Sequence, residues 1–152
     1  MKKLANILRL FWGCIFLAGV IINLVIAIID KTLYNNGGTY AWPDFLQNFW
    51  ANTVIPNMLL FIILLAVIEL ILGLVILNRG KWSKLGLVGA VIFGAGLLMI
   101  GLGAKRGDWL ARIPNLAFEV MMIYCLFFDY DKTFWRTLRP NKELTHTAVI
   151  GS

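Results

Sequence analysis

Two carboxylic acids lie inside long apolar segments of this sequence, and they are the side chains most able to carry chemistry. Glu69 lies in the apolar segment at about residues 54–77, and Glu119 lies in the segment at about residues 110–128. A charged side chain is costly in the hydrocarbon of a bilayer, so such residues usually face a bundle interior or a cavity. We therefore take both acids as candidate functional residues.

Four further polar residues complete a candidate polar cluster. Arg9 and Asn23 belong to the first apolar segment, whereas Arg112 and Asn115 precede Glu119 by seven and four residues, which places them on one helical face. We predict that Glu69 lies on the cytoplasmic side of the midplane and that Glu119 lies nearer the outer half or close to the middle, so that the two acids lie at different depths. The predicted ligand-binding or polar cluster comprises Arg9, Asn23, Glu69, Arg112, Asn115 and Glu119.

Three interpretations of this cluster are open. The polar groups could form interhelical hydrogen bonds that fix the bundle, each contributing about 0.6–2 kcal/mol. They could instead line a cavity in which an acid orients a small, mostly apolar molecule. A third interpretation is that a buried carboxyl group binds and releases protons.

The sequence contains no motif of intrinsic catalysis or cofactor binding. It has no catalytic triad, phosphate-binding loop, zinc-ligand spacing or haem motif. The two cysteines, Cys14 and Cys125, both lie in apolar segments, and the single histidine is His146. This composition predicts neither a metal site nor a disulfide framework.

Four apolar segments must position these residues, at about residues 10–29, 54–77, 83–104 and 110–128. Each is long enough for a helix to cross the hydrocarbon core, which needs about 20 residues. Apolar residues make up 60% of the chain and charged residues 14%, against about 25% charged in soluble domains. We predict an all-α fold, a four-transmembrane-helix bundle, and interpret the first segment as a retained helix rather than a signal peptide.

The basic residues predict the orientation. With a cytoplasmic N-terminus, ten of the fourteen Lys and Arg residues lie on the inner side and four on the outer side. Cytoplasmic loops carry the excess of Lys and Arg, so both termini are predicted in the cytoplasm, with the chain multi-pass in a bacterial-type inner membrane. Because these charges flank the apolar segments, the sequence does not predict nucleic-acid binding.

The first loop contains a predicted short helix. Apolar residues at positions 42, 45, 46, 49 and 50 follow the spacing of an amphipathic helix, and most of them are aromatic. Aromatic side chains favour the membrane interface. The helix is predicted to lie on the outer face, either as an aromatic anchor or as a lid over a cavity between the helices.

Small residues recur along the third apolar segment. Gly86, Ala90 and Gly94 are spaced four residues apart, a pattern that lets helices approach closely in lipid. This face could pack within the chain, which we favour, or form a homodimer. We assign residues 1–139 to one membrane domain and residues 140–152 to a polar, disordered cytoplasmic tail, after an amphipathic interfacial segment at residues 132–139.

The sequence resembles the DoxX-like group of small four-helix membrane proteins. The resemblance rests on Arg9-Leu10-Phe11-Trp12-Gly13 with Phe16-Leu17-Ala18-Gly19, on Glu69-Leu70-Ile71-Leu72-Gly73 with the basic turn from Asn78 to Lys84, and on the Gly-rich third helix. It covers roughly residues 9–104. It implies an integral membrane bundle in which Arg9, Glu69 and Gly73 are the positions of interest. Some relatives are subunits of quinone-linked sulfur or redox complexes, and others are assembly chaperones.

These observations together predict an accessory or small-apolar-ligand-binding membrane protein. The alternative is a membrane subunit of a quinone-coupled oxidoreductase complex, in which an acid transfers protons and a partner supplies the redox centre. The expected partners are the lipid bilayer and other membrane-complex subunits or a second copy of the chain. We expect no intrinsic cofactor, and the alternative would add a quinone.

Overall fold

A computed structural model describes residues 1–30, 34, 38–39, 41–100 and 113–130 of the chain. The regular elements in these ranges are all helical, so the predicted all-α class is confirmed. They are α1 (Lys2–Ile29), α2 (Asp44–Phe49), a π-helix (Trp50–Val54), α3 (Met58–Ile76), α4 (Gly80–Ile100) and α5 (Ile113–Leu126).

Three of these helices are long and apolar enough to cross a membrane. They are α1 with 28 residues, α3 with 19 and α4 with 21. The fourth, α5, has 14 residues, which at 1.5 Å per residue extend about 21 Å, less than the roughly 30 Å of hydrocarbon. Residues 101–112, which precede α5, lie outside the described ranges. The structure therefore supports a membrane protein with three spanning helices.

The first helix begins eight residues before the apolar segment that predicted it. Lys2 to Arg9 are helical because Lys, Leu, Ala and Arg all have good helix propensity. Packing also holds this turn, since Ala5 and Arg9 are both fully buried. Hydropathy marks where a span begins, whereas backbone propensity and packing decide where the helix begins.

The helices form an antiparallel bundle with close contacts between α1 and α3. A Cβ placed on Gly13 would lie 2.7 Å from Leu77, and one placed on Gly73 would lie 3.1 Å from the Gly13 carbonyl oxygen. Helix α4 contacts α3 and α5, and α5 also contacts α1. We call the end where α1 begins and α3 ends the Arg9 end, and the opposite end, with the first loop, the loop end.

The small-residue face of α4 packs within the chain. Ala90 is fully buried, and a Cβ on Gly86 would lie 2.7 Å from the backbone nitrogen of Ile76 in α3. Gly94 faces α5, where an added Cβ would contact Glu119 and Phe118. The spacing of small residues therefore allows α4 to approach two neighbouring helices at once, as expected for packing in lipid.

The outer surface of the bundle is apolar. Helix α3 exposes a nearly continuous set of aliphatic side chains, and α1 exposes another along its length. Soluble monomers rarely expose apolar patches of this extent. The exposed side chains of α3 include Leu60, Ile63, Leu64, Val67, Ile68, Ile71 and Leu74. This surface is suited to contact with lipid acyl chains.

The predicted helix in the first loop is present as α2, which continues into the π-helix. None of its residues is buried, and Phe45 is 65% exposed. The loop is fixed to the bundle by a hydrogen bond from the Trp42 backbone nitrogen to the Met99 carbonyl, at 2.8 Å. Helix α3 begins at Met58 rather than near residue 54 because Pro56 lacks the N–H that helix continuation requires.

A tight turn joins α3 to α4 at the Arg9 end. Gly80 has a φ of +57°, which lies in the left-handed region that glycine adopts without steric cost. Its N–H donates to the Tyr130 carbonyl at 2.7 Å, which attaches the turn to the chain after α5. The tail, including residues 140–152, and the loop that carries Arg112 lie outside the described ranges.

Candidate functional site

A side chain from α1 holds Glu69 in place. The Asn23 amide nitrogen donates to Glu69 Oε2 at 2.6 Å. Asn23 is only 4% exposed, and its side-chain Oδ1 accepts a hydrogen bond from the Tyr34 hydroxyl. Since α1 and α3 are antiparallel, residues 23 and 69 reach the same level. We call this the Tyr34–Asn23–Glu69 chain, which links the first loop to the acid on α3.

Gly19 provides the space that the Glu69 carboxyl group occupies. A Cβ at Gly19 would lie 2.8 Å from Glu69 Oε2 and 3.0 Å from the carboxyl carbon. Gly19 lies one helical turn before Asn23, so the two residues form one face of α1. The glycine removes bulk and the asparagine supplies a donor at the same place.

A cavity of about 320 Å³ lies beside Glu69, between α1, α4 and α5. Apart from the Glu69 carboxyl group and the Asn115 amide, its lining is largely carbon. Its rim includes the exposed side chains of Ile15 and Ile22, so the cavity opens at the lipid-facing surface of α1. We call it the Glu69 cavity, and its principal walls are Trp12, Phe16, Glu69, Phe93, Asn115 and Phe118.

Four aromatic rings line this cavity, together with aliphatic side chains. Trp12 and Phe118 meet edge to face with ring centroids 4.7 Å apart, and Phe16 contacts Phe93 at 5.8 Å and Phe118 at 5.9 Å. Such pairs add about 0.5–1.5 kcal/mol each beyond area burial. They join α1, α4 and α5, so the cavity walls are also the packing contacts that keep these helices together.

Asn115 provides the second polar group of the cavity. Within the described part of the chain, no hydrogen bond joins its amide to another residue. An amide offers both a carbonyl acceptor and two N–H donors. Glu69 and Asn115 therefore present hydrogen-bonding groups from two different helices, while only one oxygen of Glu69 is engaged by Asn23.

Glu119 lies elsewhere, at the contact between α4 and α5. It is 7% exposed and packs against Gly94, where only a hydrogen leaves room for the carboxyl group. Its Oε1 has no hydrogen-bond partner among the residues that the structure describes. Arg112, which the sequence predicts on the same face, lies outside the described residues.

The two acids lie at similar depth, which differs from the sequence prediction. Leu72 lies against Gly89 and Ile76 against Gly86, so this antiparallel register brings Glu69 level with about residue 93 of α4. Glu119 contacts Gly94, one residue away. The prediction failed because depth was counted within each segment separately, whereas the register between helices sets relative depth.

Arg9 belongs to a separate group of polar contacts at the Arg9 end. Its Nη1 donates to the Ile76 carbonyl at 3.0 Å, to the Asn78 carbonyl and to Ser83 Oγ at 3.2 Å, and its Nη2 donates to Asn6 Oδ1 at 2.9 Å. The Ile76 carbonyl, at the C-terminal end of α3, also accepts from Ser83 Oγ at 3.0 Å, and the Asn78 carbonyl lies just beyond that end. A cation satisfies the carbonyls at a helix C-terminus well. We call this arrangement the Arg9 cluster. Its hydrogen bonds connect α1 to the end of α3 and to α4, as expected for a group that stabilises the fold.

Tyr130 and Cys125 close the Arg9 cluster on the side of α5. The Arg9 guanidinium lies 4.6 Å from the centre of the Tyr130 ring, a cation–π geometry. The Tyr130 hydroxyl donates to the Cys125 carbonyl at 2.7 Å, and burial raises the pKa of this phenol, so it stays a donor at neutral pH. Arg9, Ser83 and Cys125 are each fully buried.

Of the six residues in the predicted cluster, the structure brings Asn23 and Glu69 into direct contact and places Asn115 across the same cavity. Arg9 and Glu119 have other surroundings. Sequence reasoning missed the aromatic walls and Tyr34. The aromatic residues share no simple spacing because they come from three helices, and Tyr34 lies in a loop whose path the apolar pattern does not predict.

No protein-family model, curated protein or solved structure matches this chain. Among the described residues there is no group of three or more His, Cys, Asp or Glu side chains placed to bind a metal ion. The Glu69 cavity presents a carboxyl group and an amide beside aromatic rings, and both groups can form hydrogen bonds.

Proposed function

We propose that this protein is an accessory membrane protein that binds a small, mostly apolar ligand in the Glu69 cavity. The observation that carries the proposal is a carboxyl group positioned by Asn23 at the wall of an aromatic cavity. Ligand sites are typically concave, mostly apolar and equipped with a few placed polar groups, which describes this cavity. The rim at Ile15 and Ile22 would admit the ligand from the bilayer.

A purely structural role for these polar groups accounts for less of the geometry. The hydrogen bond from Asn23 to Glu69 joins α1 to α3, as interhelical bonding requires. Bonding alone would favour a carboxyl group with both oxygens engaged and with its surroundings filled, since unpaired groups in lipid are costly. Instead, Glu69 and Asn115 line space of about 320 Å³, large enough for a small molecule.

The membrane arrangement belongs to the same proposal. We propose four spans in a bacterial-type inner membrane with both termini cytoplasmic, with α5 in the fourth, and membership of the DoxX-like group. The distribution of Lys and Arg supports this orientation. It puts the α3–α4 turn in the cytoplasm and α2 outside.

Single cysteines test this orientation. In a cysteine-free background, Asn48→Cys in α2 should react with a membrane-impermeant maleimide in intact cells, whereas Arg79→Cys in the α3–α4 turn should react only after the membrane is opened. Both positions are exposed on the protein. The reverse labelling pattern would refute the proposed orientation.

Mass spectrometry of molecules that co-purify with the gently solubilised protein tests the ligand-binding proposal. We would compare the wild type with Glu69→Gln and, as a matched control, Glu119→Gln. Glu119 packs against Gly94 rather than lining the cavity. A specific small molecule that is retained by the wild type and by Glu119→Gln, and lost from Glu69→Gln, is the expected result.

Two other results would decide against ligand binding. If nothing specific accompanies the wild-type protein, the cavity has no resident small molecule. If the same molecule is retained by all three proteins, it binds elsewhere. A loss of stability in Glu69→Gln without any ligand in the wild type would assign the carboxyl group to interhelical bonding.

A second candidate function is supported by the aromatic walls and the Asn115 amide. A membrane subunit of a quinone-coupled oxidoreductase would hold the flat quinone ring between such walls. The Asn115 amide N–H would donate to a ring carbonyl, and Glu69 would transfer protons to or from the quinone. The redox centre would come from a partner subunit. Co-purification of a quinone together with a redox subunit would favour this candidate, and a non-quinone ligand would exclude it.

A further inference from the structure

A second concave region, at the loop end, is chemically different from the Glu69 cavity. It has a volume of about 260 Å³ and lies beneath the π-helix, against the first half of α3. Its lining is aliphatic and aromatic, and the hydroxyl of its one tyrosine, Tyr34, is bonded to Asn23. Exposed Leu64 and Ile68 open it to the lipid-facing surface. We call it the loop groove.

The loop groove adjoins the Glu69 cavity. Leu97 of α4 lines both, with Phe93 on the cavity side and Ile100 on the groove side. On α3, Leu65 lines the groove one helical turn before Glu69, on the same helix face. Tyr34 lines the groove while its hydroxyl belongs to the hydrogen-bonded chain that ends at Glu69. These three connections make the two spaces neighbours that share Leu97 as a wall.

We propose that one amphiphilic ligand occupies both spaces, with a hydrogen-bond-donating head in the Glu69 cavity and a hydrocarbon tail that passes Leu97 into the loop groove. This inference rests on the proposed ligand-binding function and names the class of ligand. Among the described residues, a carboxyl group and an amide line the cavity, whereas the groove is lined almost entirely by aliphatic and aromatic groups. No Lys or Arg is among the described residues of the cavity lining, so none of them would compensate an anionic head beside the Glu69 carboxyl group.

The tail would be recognised by shape rather than by release from water. In lipid, hydrocarbon gains little from leaving other hydrocarbon, so packing against the walls must supply the preference. A groove beneath the Trp50 ring and against Phe61 offers such walls. Binding should therefore depend on tail length and on the width of the passage at Leu97.

Two phenols that differ only in their tails test the inference. We would measure binding of radiolabelled 4-ethylphenol and 4-dodecylphenol to the full chain in phosphatidylcholine nanodiscs, with empty nanodiscs subtracted. Ile68→Trp narrows the groove alone from an exposed position, so it should weaken dodecylphenol binding by about tenfold, the effect of one overpacked contact, while ethylphenol binding stays within about twofold. Dodecanoate, which has an anionic head and a tail of similar length, should compete poorly.

A second variant at the passage and a control variant complete the test. Leu97→Trp narrows the passage between the two spaces, and because Leu97 lines both of them it should weaken the binding of both phenols, with the larger loss for dodecylphenol. Ile92→Trp, on the lipid-facing side of α4 at 69% exposure, lines neither space and should leave both phenols unaffected. Comparing the ratio of the two affinities between each variant and the wild type cancels the difference between the two phenols in partitioning into the bilayer.

The outcomes separate this inference from the function on which it rests. If ethylphenol binding depends on Glu69 but the affinity ratio is the same in the wild type and in both groove variants, the tail does not enter the groove and this inference is wrong. If neither phenol binds the wild type, or if Glu69→Gln changes neither affinity, the ligand-binding proposal itself fails.

Discussion

The Arg9 cluster and the Glu69 cavity are two polar regions of the same helix pair, and they differ in how their polar atoms are used. At the Arg9 end, a fully buried guanidinium donates to two backbone carbonyls and two side chains, and an aromatic ring covers it. At the Glu69 cavity, one carboxyl oxygen is engaged and the neighbouring space is open. The first region is closed by protein, and the second leaves room for another molecule.

This difference separates a polar group that builds the fold from one that is available to a ligand. Buried polar atoms are usually satisfied, and leaving one unsatisfied is costly. A polar residue in a membrane helix is therefore not in itself a sign of function. The completeness of its surroundings is the more informative observation, and only the folded chain provides it.

The largest effect is expected at Arg9. Arg9→Met should lower the free energy of unfolding by roughly 2–4 kcal/mol because the carbonyls of Ile76 and Asn78 and the hydroxyl of Ser83 lose a charged donor. Chemical unfolding in detergent micelles would measure this. Glu69→Gln, which leaves an oxygen for the Asn23 amide, should cost less than about 1 kcal/mol.

Arg9→Lys provides the matched control. It keeps the charge but replaces the planar set of donors by one ammonium group, so the loss of stability should be intermediate. If Arg9→Met were as stable as the wild type, the contrast between a structural and a ligand-accessible region would no longer hold.

A smaller effect is expected from two glycines on α4. Gly94→Ala places a methyl group against Glu119 and Phe118, a cavity wall, and should lower stability by about 1–3 kcal/mol while also weakening ligand binding. Gly96→Ala meets no atom within 4 Å and should be neutral or slightly stabilising because alanine favours the helix. Equal effects of the two substitutions would contradict the close approach of α5 at Gly94.

Tyr34→Phe should have a modest effect, because it removes one hydrogen bond from the Tyr34–Asn23–Glu69 chain, which positions Glu69. A neutral hydrogen bond contributes about 0.5–1.5 kcal/mol, so the free energy of unfolding should change by no more than this. Ligand binding should weaken more than stability if the chain positions the acid. Unchanged affinity would show that Asn23 holds Glu69 without help from the loop.

The titration of Tyr34 gives a pH-dependent test. Burial, and then the Glu69 carboxylate, raises the pKa of this phenol above its ordinary value of 10.0. The folded state retains a proton that the unfolded chain releases, so stability should fall as the pH rises above that value. Ultraviolet difference titration of the wild type against Tyr34→Phe should detect the shift, and Glu69→Gln should reduce it.

The smallest effect is expected for an exposed ion pair beside the Arg9 cluster. Lys84 Nζ lies 2.7 Å from Asp129 Oδ1, and the hydrogen bond and charge of Lys84 lower the pKa of this carboxyl group. Its stabilisation should be present above the ordinary carboxyl pKa and should disappear as the pH falls through the lowered one. Solvent and salt screen such pairs, so Lys84→Ala should barely change the free energy of unfolding at physiological ionic strength.

Much of the fold could be predicted because lipid imposes simple rules on a sequence. The apolar segments correctly indicated α1, α3 and α4, and the aromatic spacing in the first loop indicated α2. Boundaries were less predictable: α1 extends to Lys2 through ordinary helix propensity, and α3 starts after Pro56. The small residues of α4 predicted close packing but not which helices would be its neighbours.

The site was predictable only in part. Glu69 and Asn23 stood out because polar residues are rare in apolar segments, and the structure shows that they contact each other. Arg9 stood out for the same reason, yet its acceptors include backbone carbonyls of Ile76 and Asn78, which no sequence pattern reveals. The aromatic walls had no signal of their own because large apolar residues are common throughout a membrane chain.

The sequence by itself determined that the chain is helical and apolar enough for a membrane, and which side chains would be costly in lipid. These properties follow from local composition and spacing. The tertiary structure decided that Asn23 meets Glu69, that Arg9 covers the end of α3, and that aromatic rings from three helices enclose a cavity. Such contacts depend on helix register and rotation, which are set by the close approach of small residues between helices distant in sequence.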